Sequence, residues 1–263
     1  MHTLEIKNLK VKVEDKIILN DFNLKINSGE THVIMGPNGT GKSTLSKVIM
    51  GDPNYSVING DIVFDGESIL DKTVDERAKL GLFLTMQSPI AIEGVSNADF
   101  LRTAVHEKEK TNFKLFQFIK ELESVSDKLE FNKDFIHRDI NEGFSGGERK
   151  KNEVLQMYML KPTIVMLDEI DSGLDVDSLK IVGENITKYK KESNCGLLVI
   201  THYQRLLDYI KPEFVHIMAN GKIMKSGDKS LVKYIEENGY GEIKEEKKTI
   251  TSTCIVKDIL KNE

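Results

Sequence analysis

A glycine-rich segment at residues 36–44 constrains this chain more than any other part of its sequence. The segment fits the pattern G-x-x-x-x-G-K-[ST]. The apolar run 31–35 before it predicts a strand, and Ser43 to Met50 after it has helical spacing. A strand, a glycine-rich loop and a helix start form a phosphate cradle, because glycines let backbone N–H groups turn inward toward phosphate oxygens.

This loop predicts a nucleotide site that works with Mg²⁺. Lys42 would offer its ammonium to the β and γ phosphates, and Ser43 would offer a hydroxyl to Mg²⁺. The alternative is a glycine-rich turn that Lys and Ser follow by chance, and the strand and helix on either side argue against it. The residues predicted to bind nucleotide here are Gly36, Pro37, Asn38, Gly39, Thr40, Gly41, Lys42, Ser43 and Thr44.

Two adjacent carboxylates follow the apolar run 164–167 far downstream. In a parallel sheet, ligands bind at the carboxyl edge, where such a strand delivers its last residues. Asp168 is placed there to hold Mg²⁺ through water, and Glu169 to act as general base or to orient the attacking water. An apolar run that ends in Asp-Glu is weak evidence by itself, but it becomes strong beside the phosphate loop.

Two further polar residues stand at the ends of predicted strands. Gln87 follows the run 82–85, and its amide would reach Mg²⁺ or the attacking water. His202 follows the run 197–201, where a neutral imidazole would contact the γ-phosphate or that water. Taken singly, each is more often a structural polar residue, so both assignments depend on the loop and the carboxylates.

A second glycine-rich segment, Gly143 to Glu153, precedes a helix with apolar periodicity. Its sequence is GFSGGERKKNE, and Val154, Leu155, Met157 and Leu160 continue the helical pattern. Glycines at a helix start expose backbone N–H groups to an anion, so the segment predicts a second phosphate-binding helix start.

The remaining pattern predicts an α/β fold with a mostly parallel sheet covered on both faces, because strands and helices alternate along the chain. Strands at Leu4–Val13 and Leu24–Ile26 predict a β-rich entry. Apolar residues at helical spacing among many Lys and Glu predict an inserted helical subdomain, and most of its charges read as a solvated helix face. The predicted units are a core of residues 1–96 and 161–238, the helical subdomain 97–160 and a tail 239–263. The apolar residues of the helical pattern are Leu115, Ile119, Leu122, Val125 and Leu129.

Composition limits the partners and the compartment. A formal net charge of −5 over 263 residues argues against a free-standing nucleic-acid binder, which would need a basic face. No run approaches the roughly 20 apolar residues that cross a bilayer. The chain begins directly with a strand pattern and without a signal-like segment, so we expect a cytoplasmic protein. Cys195 and Cys254 share no metal-binding spacing and read as incidental thiols.

The order of these motifs resembles the ATP-binding-cassette family of ATPases. It runs from the phosphate loop through Gln87, the segment 143–153, Asp168-Glu169 and Ser172–Asp175 to His202, over residues 1–230. The resemblance implies a P-loop NTPase core with an N-terminal antiparallel β subdomain and an inserted helical subdomain. It also implies that two subunits pair head to tail around ATP. The residues that would bind the nucleotide held by the other subunit, or line the same interface, are Ser145, Gly146, Gly147, Glu148 and Asp175.

Within that family the amino-acid sequence around the motifs resembles that of the SufC branch, the ATPases of Suf iron–sulfur cluster assembly. The stretches concerned are 32–46, 50–53, 84–89, 144–157 and 168–177. This branch implies docking on SufB- and SufD-type scaffold proteins and no transport. The motor subunit of a membrane transporter remains the alternative. A nucleic-acid or translation factor would need paired cassettes or a basic face.

The resemblance also implies where a partner protein docks. Cassette ATPases generally contact partners through the segment that corresponds to Gln87–Phe100 and the neighbouring helical insertion. Ile90, Ile92 and Val95 are apolar residues in a loop setting there. They would either face the partner or pack inside the chain, and the sequence does not separate these alternatives.

Overall fold

The computed structural model describes residues 1–109, 114–201 and 204–240. Its strands form a six-stranded sheet, a four-stranded sheet and a two-stranded pair. The strands are β1 (Thr3–Val13), β2 (Lys16–Asn27), β3 (Thr31–Met35), β4 (Ser56–Phe64), β5 (Glu67–Ser68), β6 (Leu82–Thr85), β7 (Ile92–Ser96), β8 (Asp139–Ile140), β9 (Ile164–Asp168), β10 (Gly196–Ile200), β11 (Phe214–Ala219) and β12 (Lys222–Gly227). The helices are α1 (Lys42–Met50), α2 (Val74–Leu80), α3 (Asn97–Glu109), α4 (Leu115–Lys128), α5 (Gly146–Leu160), α6 (Val176–Ser193), α7 (Gln204–Tyr209) and α8 (Ser230–Asn238), with a 3-10 turn at Lys133–Ile136.

The central sheet has the strand order β12-β11-β3-β10-β9-β6, and every pair except β11–β12 is parallel. All residues of β3, β9 and β10 are buried, as expected for strands covered on both faces. This confirms the predicted α/β class. Because β3, β6, β9 and β10 run parallel, their carboxyl ends meet at one edge, and the predicted site residues follow those ends.

Side chains of the central strands alternate between two cores, because successive residues of a strand point to opposite faces. One core contains Val33, Met35, Val165, Leu167, Leu197 and Val199 together with residues of α3 to α6. The other contains Ile34, Ile164, Met166, Leu198 and Ile200 together with Leu45, Val48 and Ile49 of α1 and residues of the four-stranded sheet. Asp168 continues the series of Ile164 and Met166, so its carboxylate lies on the α1 side.

The antiparallel sheet has the order β2-β1-β4-β5 and packs across α1 onto the central sheet. It contains the strand predicted at Leu4–Val13, which is β1. The strand predicted at Leu24–Ile26 is the end of the much longer β2. Its first half does not alternate between apolar and polar residues, since Ile17, Ile18 and Leu19 are consecutive and only Leu19 is buried. Even so, Val13 pairs with Lys16 and Leu9 with Phe22 along the strand.

The predicted helical region contains α3, α4 and α5, whose apolar faces join one core. In α4, Phe118, Leu122 and Val125 are buried, whereas Leu115 and Ile119 are 51% and 44% exposed. The core-facing stripe therefore begins one turn later than the spacing from Leu115 suggests. Within the described residues no helix has the length and apolar character to cross a membrane. The subdomain boundaries stay predictions. Of the predicted tail 239–263, only residues 239 and 240 belong to the described residues.

The two cysteines differ in what the structure describes of them. Cys195 is a buried free thiol in the helical-side core, and burial raises its pKa. A thiol with a raised pKa is a poor nucleophile and metal ligand. Cys254 lies outside the described residues.

The buried guanidinium of Arg77 fixes the end of α1. It donates hydrogen bonds of 2.9 Å to the carbonyl oxygens of Val48, Ile49, Leu70 and Lys72. The first two are carbonyls of the last turn of α1, where a positive charge opposes the negative end of the helix dipole. Arg77 therefore anchors the helix whose first turn follows the phosphate loop.

We expect Arg77→Met to lower the free energy of unfolding by about 3 kcal/mol, since it keeps the apolar stem but leaves buried carbonyl oxygens without donors. Urea unfolding followed by circular dichroism measures this change. The control is Arg102→Met, because Arg102 is exposed and pairs with Asp99 at the surface, where an ion pair contributes no more than about 1 kcal/mol. Equal losses in the two variants would show that the four carbonyl contacts are unimportant.

Candidate nucleotide site

The loop between β3 and α1 has a backbone that requires glycine at two positions. Gly36 has φ +155°, and a Cβ there would lie 2.1 Å from the carbonyl oxygen of Met218. Gly41 has φ +101°, and a Cβ there would lie 2.9 Å from the side chain of Leu19. A side chain at position 36 would collide with the backbone of Met218, and the positive φ at position 41 would strain any residue other than glycine. The two glycines let the loop turn back over the start of α1.

Lys42 lies inside this curl. Its ammonium donates to the carbonyl oxygens of Gly36, at 2.8 Å, and Pro37, at 2.9 Å, and its side chain is buried. Burial lowers the pKa of Lys42, while the charges of Glu169 and Asp168 act in the opposite direction. The loop thus holds a positive charge at its centre, and residues 37–39 are exposed around it.

Asp168 is bound to helix α1. Its carboxylate accepts hydrogen bonds from the hydroxyls of Ser43, at 3.0 Å, and Ser46, at 3.4 Å. Its backbone N–H donates to the Thr85 hydroxyl at 3.1 Å. Burial raises the pKa of Asp168, and the bond from Ser43 opposes that shift. Sequence reasoning named Ser43 and Asp168 but missed Ser46 and Thr85, although Ser46 follows Ser43 at i+3 on the same helix face.

Glu169 and Gln87 meet at the same edge of the sheet. The Gln87 amide nitrogen donates to the Glu169 carboxylate, with the two atoms 2.5 Å apart. Glu169 has φ +49°, an uncommon conformation for a non-glycine residue, and its N–H donates to the Ile200 carbonyl oxygen at 2.9 Å. Two side chains 82 positions apart in the sequence are thereby brought together beside the phosphate loop.

His202 lies outside the described residues. Thr201, the residue before it, follows the end of β10, and Ile200 is in register with Asp168 on β9. The role predicted for His202 therefore stays a prediction.

The second glycine-rich segment begins helix α5 at the protein surface. The Ser145 hydroxyl accepts from the Glu148 N–H, and the Glu148 carboxylate accepts from the Ser145 N–H at 2.7 Å, which forms a capping box. Ser145 and Gly146 are exposed. A Cβ on Gly147 would lie 3.3 Å from the hydroxyl of Ser178 on α6. The starts of α5 and α6 are therefore neighbours.

The start of α6 is capped by Asp175. Its carboxylate accepts from the Ser178 N–H at 2.7 Å, and this bond lowers the pKa of Asp175. The capping carboxylate consequently stays ionised at neutral pH. The segment 172–175 ends at Asp175, directly before α6, as the motif order requires.

A family model described as ABC transporter matches residues 19–172, more than half of the chain. The chain therefore belongs to this family, the ATP-binding-cassette ATPases. The match confirms the family resemblance and the ATP-hydrolysing class predicted from the motifs.

Two relatives are similar over nearly their whole length. Vegetative protein 296 of Bacillus subtilis is 52% identical over 246 residues, which cover 93% of this chain and 94% of the relative. The probable ATP-dependent transporter ycf16 of Pyropia yezoensis is 52% identical over 241 residues, with 90% and 96% covered.

Solved structures support the fold. The dimeric structure of a bacterial ABC transporter cassette superposes with a TM-score of 0.74 at 21% identity, covering 86% of this chain and 98% of that one. A dimeric post-hydrolysis state of the same cassette, bound to ADP and phosphate, gives the same score. At this identity the comparison concerns the architecture alone.

We expect Lys42→Ala to weaken ATP binding about 10- to 100-fold, because a hydrogen bond to a charged group contributes about 1.5–3 kcal/mol. Titration with a fluorescent ATP analogue measures the affinity. Lys47→Ala is the matched control, since Lys47 lies on the same helix but is exposed, and its affinity should stay within about twofold. An unchanged affinity in Lys42→Ala would remove this lysine from the phosphate site.

Proposed function

We propose that this chain hydrolyses MgATP as the ATPase of a Suf-type iron–sulfur cluster assembly complex, through ATP-driven pairing of two copies. One observation carries the pairing. The chain holds a phosphate loop with Lys42 and carboxylates on one edge, and it presents a second, exposed glycine-rich helix start at Ser145. ATP between the loop of one copy and the helix start of the other would join them.

In this proposal the loop and helix α1 bind the phosphates. The backbone N–H groups of residues 38–44 cradle the oxygens at the positive end of the helix dipole. Lys42 leaves the carbonyls of Gly36 and Pro37 to contact the β and γ phosphates. Its charge is then paired with the phosphates and with nearby Asp168 and Glu169.

The residues present fit Mg²⁺. Ser43 and Asp168 place a hydroxyl and a carboxylate oxygen 3.0 Å apart, and Mg²⁺ prefers such oxygen ligands together with substrate phosphates. The chain would bind Mg²⁺ through Ser43 and, by way of water, through Asp168, with Gln87 as a further ligand. When bound, Mg²⁺ neutralises charge on the phosphate oxygens.

Glu169 would act on the attacking water. Its charge acts on Lys42 of the loop, and the bond from Gln87 holds its carboxylate at the sheet edge. Gln87 would orient the same water or contact Mg²⁺, and His202 would contact the γ-phosphate. Loss of the γ-phosphate would then remove the bridge between the two copies.

The other half of the site would come from the second copy. Ser145, Gly146 and Gly147 would bind the γ-phosphate through the exposed start of α5, with Glu148 in the capping box that shapes it. Asp175, at the neighbouring start of α6, would line the same interface. The dimeric solved cassette supports this arrangement as a precedent in the fold.

The Suf assignment rests on the amino-acid sequence around the motifs, in the stretches 32–46, 50–53, 84–89, 144–157 and 168–177. A cluster would form on the scaffold, because this chain has two cysteines and Cys195 is buried. The segment Gln87–Phe100 would dock on a SufB- or SufD-type scaffold. Ile90, Ile92 and Val95 are 65%, 38% and 37% exposed there, which supports the outward-facing alternative. The proposed compartment is the cytoplasm.

A transporter motor is the second candidate, because several relatives are named as transporters or as their ATP-binding proteins. One of them is the probable ATP-dependent transporter of Trieres chinensis, 50% identical over 245 residues. Such a motor would use the same site and the same docking segment. The partner therefore distinguishes the two candidates, and the ATPase chemistry does not.

We expect Glu169→Gln to keep ATP bound and to trap a dimer, because the variant retains the loop but lacks a proton acceptor. Turnover should fall by at least about 100-fold. Light scattering with and without MgATP measures the dimer. Glu184→Gln, the same change at an exposed position of α6, should leave turnover unchanged. Full turnover by Glu169→Gln would exclude the base role.

We expect the tagged chain to recover a SufB- or SufD-type scaffold from extracts of its source cells. Ile90→Arg should abolish that recovery, because it places a charge in the apolar docking segment. Ile58→Arg is the matched control, since Ile58 is 49% exposed on β4 of the antiparallel sheet. Recovery of an integral-membrane partner without scaffold would refute the Suf proposal and support the transporter.

A further inference from the structure

Helix α5 carries a polar face that points into the protein. Lys150, Asn152 and Glu153 are 3%, 0% and 5% exposed, although the run of charges around them predicts a solvated face. Buried charges are costly unless they are paired and hydrogen-bonded. The hydrogen bonds and ion pairs of these side chains therefore show how their burial is stabilised.

Lys150 and Glu153 enclose the main chain of Met86. The Glu153 carboxylate accepts from the Met86 N–H at 2.5 Å, and the Lys150 ammonium donates to the Met86 carbonyl oxygen at 2.5 Å. Lys150 also donates to the Gln87 carbonyl oxygen at 3.2 Å and pairs with Glu153 at 3.3 Å. One ion pair thus holds the two peptide groups that precede Gln87 and also the carbonyl oxygen of Gln87 itself.

The position of Met86 explains why these hydrogen bonds from Lys150 and Glu153 matter. Met86 is the first residue after β6, the edge strand of the central sheet, and it has left the ladder with β9. Its own side chain is 54% exposed, so packing of that side chain does not fix the backbone. The next residue, Gln87, reaches Glu169 with its side chain. The direction of that amide therefore depends on the peptide groups that the ion pair holds.

The same face of α5 holds the far end of the segment. Asn152 donates to the side-chain oxygens of Asn97, at 2.9 Å, and Asn141, at 3.1 Å. Asn141 in turn donates to the Ile90 carbonyl oxygen at 2.8 Å. Helix α5 therefore bonds to the chain just before Gln87 and, through Asn141, just after it.

Burial also makes the two charges depend on each other. It raises the pKa of Glu153 to about 7, and the charge of Lys150 and the bond from Met86 oppose that shift. Removal of either partner would leave the other buried without its counter-ion.

We propose that Glu153, with Lys150 as its counter-ion, is a positioning residue for ATP hydrolysis that holds the Met86–Gln87 backbone so that the Gln87 amide reaches Glu169. The proposal rests on the role of Gln87 and Glu169 given under the proposed function. It does not depend on the Suf partner, because every contact lies within one chain.

The test is a double-mutant cycle on the full-length chain without partners. Glu153→Ala should lower kcat for MgATP hydrolysis about tenfold, with the affinity for ATP unchanged, since misplacement of an orienting group costs rate. In a Gln87→Ala background the same change should lower kcat by less than about twofold, because residues that act through one another are not additive. Hydrogen exchange gives a second readout, in which the Met86 amide should lose protection.

Tyr158→Phe is the matched control. It removes a buried hydrogen bond of the same helix, from the Tyr158 hydroxyl to the Asn185 carbonyl oxygen at 2.9 Å, and it should leave kcat and Met86 protection unchanged. If Glu153→Ala fails to fold, Glu153→Met, which fills a similar volume without an acceptor for the Met86 N–H, replaces it in the cycle.

Equal losses of kcat in both backgrounds, or an unchanged kcat in the single variant, would overturn the positioning role. If Gln87→Ala alone leaves kcat unchanged, the role of Gln87 fails, and the positioning role fails with it. If the double-mutant cycle gives the expected non-additive result but the pull-down recovers no scaffold, the positioning role is supported and only the Suf partner is refuted.

Discussion

The hydrogen bonds that Asp168 accepts from helix α1 hold the nucleotide site together. A carboxylate buried between α1 and the central sheet is tolerated because Ser43 and Ser46 donate to it. Any slide of α1 along β9 would strip these donors from the charge. The phosphate loop, which ends where α1 begins, therefore has a defined position relative to Asp168 and its neighbour Glu169.

Helix α1 is also held at its other end. Arg77 binds the carbonyls of Val48 and Ile49, so an anion lies near the first turn of the helix and a cation at the last turn. Both charges follow the helix dipole, because an anion is favourable near the N-terminal end and a cation near the C-terminal end. The carboxylate contacts hydroxyls of the first two turns, and its charge suits a site for Mg²⁺ with phosphate.

Helix α5 has two surfaces with different partners. Its exposed start, at Ser145, is free to meet another molecule, whereas Lys150 and Glu153, one to two turns later, hold the backbone before Gln87. In the proposed mechanism a shift of α5 on pairing would move Gln87 with it. The docking segment begins at the same residue, so a partner that displaces this segment would act on the Gln87–Glu169 contact.

The sequence by itself determined the phosphate loop, the strand before it, the carboxylates after β9 and the glycine-rich start of α5. These features depend on neighbours within a few residues, such as the glycines of the loop, apolar periodicity and the capping box of Ser145 and Glu148. The two cores and the parallel class also follow from local alternation. The full length of β2 did not, because most of its first half is exposed and does not alternate regularly between apolar and polar residues.

Only the tertiary structure decided which side chains meet. Glu153 binds a peptide group 67 positions away, and Gln87 reaches Glu169 across 82 positions. No local period records such a contact, and the charges of α5 resemble a solvated face until the helix packs against the end of β6. The burial of Lys150 and Glu153 is thus a property of packing, because their low exposure and their contacts exist only once α5 lies against the main chain of Met86 and Gln87.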